Sequence, residues 1–404
     1  MKLSDYVWQM IADQGVKHVF MFPGGQAMHL FDSLGNNDRI EHITMLHEQA
    51  CSFAAETYAR VSDNLGVALT TSGPGATNAV TGCAAAWLES TPMVFISGQV
   101  KTADLKAGFG VRQRGDQEIG IVDIVSSITK SAVLLDDPYN VKYELEKALY
   151  CAREGRPGPV WLDIPLDVQA AEIEPEGLRG FSAPVSSMLH PSSEQIRHVV
   201  QLLREARRPV LYGGQGVERN GGRTDFRTLV DRLCIPVQTT WMAAELLGSE
   251  HPLHMGKPGM VAHYYSNYAI QNADLVIAVG TRLNAPLIGF DQSKFAPGAK
   301  KVVVDIDQAE LDKFDFPTEE SICCDATCFI RDLLHALSEE DLCVDIEPWI
   351  EQCSEWRKTC FMDPHDVSHD AYGINPYYFI SVLSDCLDDD EVIIPGSSGA
   401  GIDI

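Results

Sequence analysis

Apolar residues in this chain gather in short β-branched runs, and between the runs they recur at helical spacing. The first half carries VKHVFMF from Val16, IEHITML from Ile40, LGVALTT from Leu65, PMVFISG from Pro92 and PVWLDIP from Pro159. Strand-like runs alternating with helical patterns predict a parallel sheet covered by helices. This block ends near Asp167, giving a first domain over residues 1–170 and a Pro/Gly/Ser-rich linker over 171–193. A second alternating block, 194–337, holds RRPVLYGGQG, CIPVQTTW, ADLVIAVGTR and KKVVVDID. Residues 338–372 mix acids with Trp349 and Trp356 and read as a linker with one helix. From 373 to 404 a third block offers one helix, one strand in EVIIPG and a glycine turn. A typical domain needs roughly 100 residues or more, so the chain is expected to end inside its third domain. The fold class expected is α/β, consecutive doubly wound parallel-sheet domains with the third incomplete.

One seam in this pattern draws attention. In MLHEQACSFAAETYAR, residues 45–60, Glu48 follows the apolar run Ile43–Leu46, read as a buried strand. Behind it Ala50, Phe53, Ala54, Thr57 and Tyr58 recur at helical spacing and predict the buried face of a helix. An acid in a first helical turn favours the positive end of the helix dipole. An ionisable group between two packed elements also suits chemistry. The stretch alone supports both readings.

Composition narrows the function classes. The 404 residues carry a formal charge of −26, which disfavours nucleic acid and anionic membrane as partners. No apolar run approaches the length of a membrane span, and the N-terminus lacks the apolar core of a secretory signal. Eleven cysteines stand without paired C-x₂-C spacing, which predicts reduced thiols and a cytoplasmic setting.

Three turns carry candidate chemistry, each with a plain alternative. TTSGPGATNAV, residues 70–80, reads as strand, glycine turn and helix start; such a turn can cradle a phosphate or can simply be tight. YGGQGVERNGG, residues 212–222, is near a dinucleotide fingerprint without its third glycine. VVVDID, residues 302–307, ends a strand in acids that could accept ribose hydroxyls or lie in solvent. No H-E-x-x-H or G-x-S-x-G pattern is present.

Taken in order, the blocks MFPGGQAMHLFDSLG, LHEQACSFAAETYAR, TTSGPGATNAVTGCAAAW, ISGQV, DQEIGIVDIVSSITK, GRPGPVWLDIPLDVQ and ADLVIAVGTR with KVVVDIDQAEL resemble the thiamine-diphosphate-dependent enzymes, in particular the acetolactate synthase large subunits. The resemblance implies a pyrimidine-binding domain first, a central nucleotide-binding-like domain second and a diphosphate-binding domain third. It implies an active site between subunits, hence a homodimer or homotetramer. Glu48 matches the catalytic glutamate that shares a proton with the cofactor's aminopyrimidine, the step that readies the thiazolium carbon to attack a 2-ketoacid such as pyruvate. Gly24, Gly25, Pro74 and Asn78 match cofactor-lining positions, and Gln117 a polar residue at the reaction centre. Arg156, Gly213, Gly214, Thr240, Met242, Gly256, Gly280, Arg282, Asp305, Asp307 and Asp325 fall on segments that hold FAD in such synthases.

Some positions depart from that pattern. LNAP follows Arg282, so Asn284 and Pro286 replace an acid and an arginine, which weakens the flavin expectation. Asp116 stands before Gln117 in place of a phenylalanine, which leaves the second substrate open between another ketoacid and a keto-sugar, with Arg112 and Arg114 available to offset its charge. The His-His pair of pyruvate decarboxylases is missing from this segment, which favours carboligation over simple decarboxylation. The G-D-G…N segment that binds Mg²⁺ lies outside these residues. The alternatives are a non-catalytic flavin- or nucleotide-binding paralogue serving as scaffold or regulatory subunit, and, resting only on the glycines at 213–216, an NAD-dependent dehydrogenase.

Overall fold

The computed structural model describes residues 1–184, 189–338, 346–360, 369–370, 373–388 and 390–394. Its contacts divide into two units, residues 1–188 and 189–404. The first unit contains α1 (Leu3–Asp13), β1 (His18–Met21), α2 (Met28–Gly35), β2 (Glu41–Thr44), α3 (Glu48–Ser62), β3 (Gly66–Thr70), α4 (Pro74–Leu88), β4 (Met93–Gln99), α5 (Ile121–Val125), β5 (Ser131–Leu134), α6 (Val141–Arg153), β6 (Pro159–Pro165) and α7 (Leu166–Gln169). The strands make one six-stranded sheet in the order β2-β1-β3-β4-β6-β5, and every pairing is parallel.

The runs read as strands are the interior of this sheet. All residues of β3, β4 and β6 are buried, as continuous apolar runs covered on both faces should be. The edges behave differently. SAVL of β5 is half-buried along its length; with one neighbour and one covered side it needs no strong apolar run, and the sequence pattern passed over it. At the other edge β2 lies mostly in solvent, and Leu46 is 94% exposed. The strand before Glu48 is therefore an exposed edge, not the buried strand expected.

The buried face of α3 is also not the one that periodicity predicted. Glu48, Cys51, Ser52, Ala55, Glu56 and Ala59 face inward, while Phe53 is exposed and Ala50, Ala54 and Tyr58 are half-buried. Close packing of α3 on α4 explains the choice. A Cβ at Gly82 of α4 would come within 2.2 Å of the Ser52 hydroxyl, and one at Gly75 within 3.2 Å of Glu48 Oε1. Two helices that approach so closely admit only small side chains between them, so the larger apolar ones turn outward. Gly82→Ala is accordingly expected to destabilise the fold by about 1–2 kcal/mol, the overpacking cost exceeding the gain of roughly 1 kcal/mol in helix propensity. Urea unfolding measures this, and a stabilised variant would contradict the packing account.

The second unit comprises α8 (Ser193–Glu205), β7 (Pro209–Gly213), α9 (Gly222–Leu233), β8 (Val237–Thr239), α10 (Tyr264–Asn272), β9 (Leu275–Val279), α11 (Ala285–Ile288), β10 (Lys300–Asp305), α12 (Gln308–Asp312), β11 (Glu320–Cys323), α13 (Ala326–Ser338) and α14 (Glu347–Thr359). Ser192 opens α8 through a capping box with Gln195. The five strands pair in parallel in the order β11-β10-β9-β7-β8. As in the first sheet, the strand that sequence reading passed over, β11, is an edge.

Helix α14, read as part of a linker, packs on this unit's core. Trp349 is buried and donates its indole N–H to the Pro209 carbonyl at 3.1 Å. Further on, β12 (His369–Asp370) and β13 (Gly373–Ile374) form a short antiparallel pair, followed by α15 (Pro376–Cys386). The strand expected in EVIIPG is not formed over its described part: residues 391–394 have no regular structure and are exposed. A strand needs a hydrogen-bonding neighbour, and none reaches this one among the described residues. The rest of that segment lies outside them.

Candidate active site

In the first sheet the chain order reverses between β1 and β3. β2 lies on one side of β1, and β3, β4 and β6 continue on the other. Ligands of open parallel sheets collect at such a switch point, beyond the carboxyl ends of the strands. Here those ends are packed backbone to side chain. A Cβ at Gly24, just after β1, would lie 2.5 Å from Thr71 Cβ, and the Thr71 hydroxyl accepts the Gln26 N–H at 3.2 Å. Gly98, at the end of β4, leaves room for the Gln26 carbonyl, which a Cβ there would approach to 2.1 Å. Gly25 has nothing within 4 Å of where its Cβ would be and borders open space.

Onto this edge α3 and α4 bring their first turns. Gly73 precedes α4 with φ +61°, a left-handed value that glycine adopts at little cost. Pro74 occupies the first helical position of α4, where a missing N–H is harmless. One turn later Asn78 donates Nδ2–H to Glu48 Oε2 at 3.0 Å. Glu48 itself is the first residue of α3 and only 7% exposed.

An acid serving the helix dipole alone could extend into water. This one is withdrawn from solvent, held through one oxygen by the neighbouring helix, and left with the other against Gly75. One turn on, burial and then the Glu48 charge push the Cys51 thiol up to about 12, so that thiol stays protonated beside the carboxylate. The hydroxyls of Thr70 and Ser72, at the end of β3, are buried and unpartnered within the chain. A buried acid, two hydroxyls that lack partners and a glycine opening form a lining with the polar groups to receive a heterocycle bearing ring nitrogen and amino group.

Gln117 joins the same edge from the loop after β4. It is exposed, its φ is +58°, and its carbonyl would stand 2.6 Å from a Cβ on Gly73. Asp116 is exposed beside it. Thus Gly24, Gly25, Glu48, Pro74, Asn78 and Gln117, scattered over 94 positions of sequence (117 minus 24, counted inclusively), meet at one sheet edge. Arg156 does not join them. It precedes β6 at the opposite end of the sheet and donates Nε–H to the Ser90 hydroxyl at 2.9 Å.

Of the central-unit positions, Gly213, Gly214 and Gly280 meet at that unit's own switch point, between β7 and β9, while Asp305 ends β10, Asp307 follows it and Asp325 follows the edge strand β11. Gly214 N–H reaches the Val279 carbonyl at 2.9 Å and Gly216 N–H the Gly280 carbonyl at 3.0 Å. A Cβ at Gly214 would come within 2.3 Å of Gly280 O, and one at Gly213 within 2.8 Å of the Phe226 ring. Close approach of the two turns therefore accounts for these glycines. A Cβ at Gly256, φ +68°, would come within 2.5 Å of the Ser266 hydroxyl. Thr240 N–H binds the Gly213 carbonyl, and Met242 is 38% exposed. Asp307 caps α12 through Ala309 N–H, and Asp325 accepts the N–H groups of Thr327 and Cys328. Asp305 accepts the Asp307 N–H. Arg282 is half-buried, next to Leu283 with φ +44°. In LNAP the Pro286 carbonyl accepts the Met260 N–H at 2.8 Å. The backbone groups of these turns are paired within the unit, while the buried Tyr212 hydroxyl, Gln238 Oε1 and Ser266 hydroxyl find no partner among the described residues.

Two polar groups of the first unit escaped sequence reading. Asp163 on β6 is 1% exposed and takes hydrogen bonds from Ser97 Oγ at 2.6 Å and Gln99 Nε2 at 2.8 Å. Glu118 is a buried acid within the loop after β4. An acid inside the apolar run PVWLDIP was the one signal available for Asp163. Among the described residues no group of three or more His, Cys, Asp or Glu side chains is placed to hold a metal ion, and no helix is long and apolar enough to cross a membrane. The ten described cysteines are all free.

Comparison with known proteins gives two family matches. Residues 1–126 match the family described as thiamine pyrophosphate enzyme, N-terminal TPP binding domain, and residues 196–333 that described as thiamine pyrophosphate enzyme, central domain. A probable acetolactate synthase large subunit of Methanocaldococcus jannaschii is 34% identical over 397 residues, 96% of this chain and 64% of the relative. The acetolactate synthase large subunit of Corynebacterium glutamicum is 39% identical over 343 residues, 84% of this chain and 52% of the relative. Chloroplastic acetolactate synthase 1 of Zea mays is 35% identical over 402 residues, 98% of this chain and 61% of the relative. The chain thus spans between half and two thirds of the length of these relatives.

Proposed function

Because the chain belongs to the thiamine pyrophosphate enzyme family, we propose that it works in a thiamine-diphosphate-dependent carboligase of the acetolactate synthase type. The reaction would decarboxylate a 2-ketoacid, pyruvate in the first instance, and join the two-carbon unit to a second carbonyl compound. The observation that carries this reading is Glu48, a carboxylate 7% exposed at the switch-point edge of the first sheet. The printed names of the relatives support the reaction class.

When bound, thiamine diphosphate supplies the electron sink that decarboxylation requires. This chain's residues do the rest. Asn78 holds one oxygen of Glu48, which leaves the other free to hold or yield a proton toward a ring nitrogen. The buried setting keeps water from competing for that proton. Gly24 and Gly25 would admit the ring close to the backbone, Pro74 starts the helix that carries Asn78, and the exposed Gln117 would meet the incoming substrate. Asp116 would disfavour an anionic acceptor there unless Arg112 or Arg114 of the same loop offsets its charge; the Arg114 guanidinium lies over the Phe109 ring and reaches the Leu105 carbonyl.

A second copy of the chain is the proposed partner. Leu46, Phe53, Val61, Trp87 and Leu88 are exposed apolar residues on and beside α3 and α4, more than a freely solvated helix pair favours. A homodimer, or a tetramer of two, would cover them. Mg²⁺ would anchor the diphosphate through ligands outside these residues. FAD on the central unit is an expectation of the family resemblance alone. The free thiols suit a reducing cytoplasm.

Carbon dioxide release from pyruvate, assayed with and without thiamine diphosphate and Mg²⁺, tests the reading on the full-length protein. Turnover should depend on both additions, and mass spectrometry of products with a ketoacid or keto-sugar acceptor identifies the second substrate. Turnover independent of thiamine diphosphate would overturn the assignment.

A further inference from the structure

The loop of residues 100–120 leaves the C-terminal end of β4 and returns beside it, bearing Gln117 on the way. Its sequence is polar and charged, with Lys101, Asp104, Lys106, Arg112, Arg114 and Asp116 exposed or half-buried, and gives no reason for order. Order comes from anchors. Asp167 accepts the Thr102 N–H at 2.9 Å. Gln99 bridges the two ends: its Oε1 accepts the Val100 N–H at 2.9 Å while its Nε2 donates to the Ile119 carbonyl at 2.9 Å.

Glu118 is the centre of the loop's packing. Its side chain is withdrawn from water, and its two oxygens accept the backbone N–H groups of Lys106 at 2.6 Å, Arg114 at 2.8 Å and Gly115 at 3.3 Å. Burial opposes the charge, but these three amide bonds and the Lys106 ammonium outweigh it and hold the carboxyl below its ordinary value. The neighbouring Gln117 is thereby kept in a left-handed conformation against Gly73, the residue that starts the helix carrying Asn78.

We infer that Glu118 is a positioning residue: its carboxylate gathers the backbone of Lys106, Arg114 and Gly115 into one rigid turn and so fixes Gln117 at the mouth of the Glu48 site. The inference rests on the reading of that site as the reaction centre. A carboxylate suits the task because one group satisfies three converging donors that no backbone carbonyl of the loop reaches. An amide in its place would turn an N–H toward at least one of those donors.

Hydrogen exchange read by mass spectrometry, combined with kinetics, tests this in Glu118→Gln and Glu118→Asp of the full-length protein. In Glu118→Gln, peptides covering 105–117 should exchange at least roughly tenfold faster while those of β3 and β4 stay as in wild type. kcat/KM for pyruvate should fall on the order of 10- to 100-fold at an unchanged melting temperature, as misplacement of a positioned group implies. Glu118→Asp, which keeps the charge, should recover part of both. Unchanged exchange in 105–117 would overturn the clamp, and faster exchange at wild-type kcat/KM would overturn its role in positioning. Faster exchange throughout the first sheet, with a lowered melting temperature, would reduce Glu118 to a structural residue. Wild-type protein inert toward pyruvate would instead overturn the activity reading, an outcome to which neither variant contributes.

Discussion

Glu48→Gln is expected to cut thiamine-diphosphate-dependent turnover of pyruvate by roughly 10²- to 10⁴-fold, the usual contribution of a positioned acid–base group. The amide is isosteric, and its carbonyl oxygen can still accept from Asn78, which holds Oε2 at 3.0 Å. Packing of α3 on α4 through Gly75 and Gly82 should survive, and with it the melting temperature. What the variant loses is a proton that can be held and released beside the ring. Carbon dioxide release and thermal unfolding on the same preparation separate the two effects. Turnover within about threefold of wild type in a folded variant would remove Glu48 from the proposed chemistry.

The second large effect concerns Asp163, a buried carboxyl that takes hydrogen bonds from Ser97 and Gln99. Trp161 donates its indole N–H to Ser97 Oγ at 2.8 Å and stacks on Phe95 with ring centres 4.8 Å apart. Burial lifts the Asp163 carboxyl from 3.8 to about 7, against the two hydrogen bonds that it accepts. The folded protein therefore binds this proton more tightly than the unfolded chain does. Its contribution is fully present below pH 4 and is lost as pH rises toward and through 7.

Between pH 5 and pH 8 the wild type should lose about 3 kcal/mol relative to Asp163→Asn, which cannot ionise. His254 of the second unit works in the opposite sense. Burial, with the Arg357 and Lys257 charges, lowers it to about 4, so it favours the folded state as pH climbs from 4 to 6.5. Being common to both proteins, it cancels from the difference. Urea unfolding at several pH values gives that difference directly; a flat profile would mean that Asp163 does not bind its proton more tightly in the fold.

Much of the architecture was legible because a central strand of a parallel sheet is buried on both faces by its own residues. GVALT and MVFISGQ announce themselves without reference to their neighbours. So does the order of turn, glycine and helix at Gly73–Pro74. Edge strands were not legible: half of the surroundings of β5 and β11 is solvent or side chain from elsewhere, and their composition is correspondingly mixed. Helix α14, read as a tether, shows the same limit, since the burial of Trp349 depends on a carbonyl 140 residues away.

For the site, sequence by itself determined which residue types were present and in what order: the acid at 48, the glycine turns, the amide at 78. These follow from local pattern, because a turn's φ values and a helix's first residue are set within a few positions. Tertiary structure alone decided that the inward face of α3 is its small and polar one, that Asn78 holds Glu48, and that Glu118 gathers a charged loop beside Gly73. Each of these depends on how closely two backbones approach, and that distance is fixed by chain segments remote in sequence, whose packing no local periodicity records.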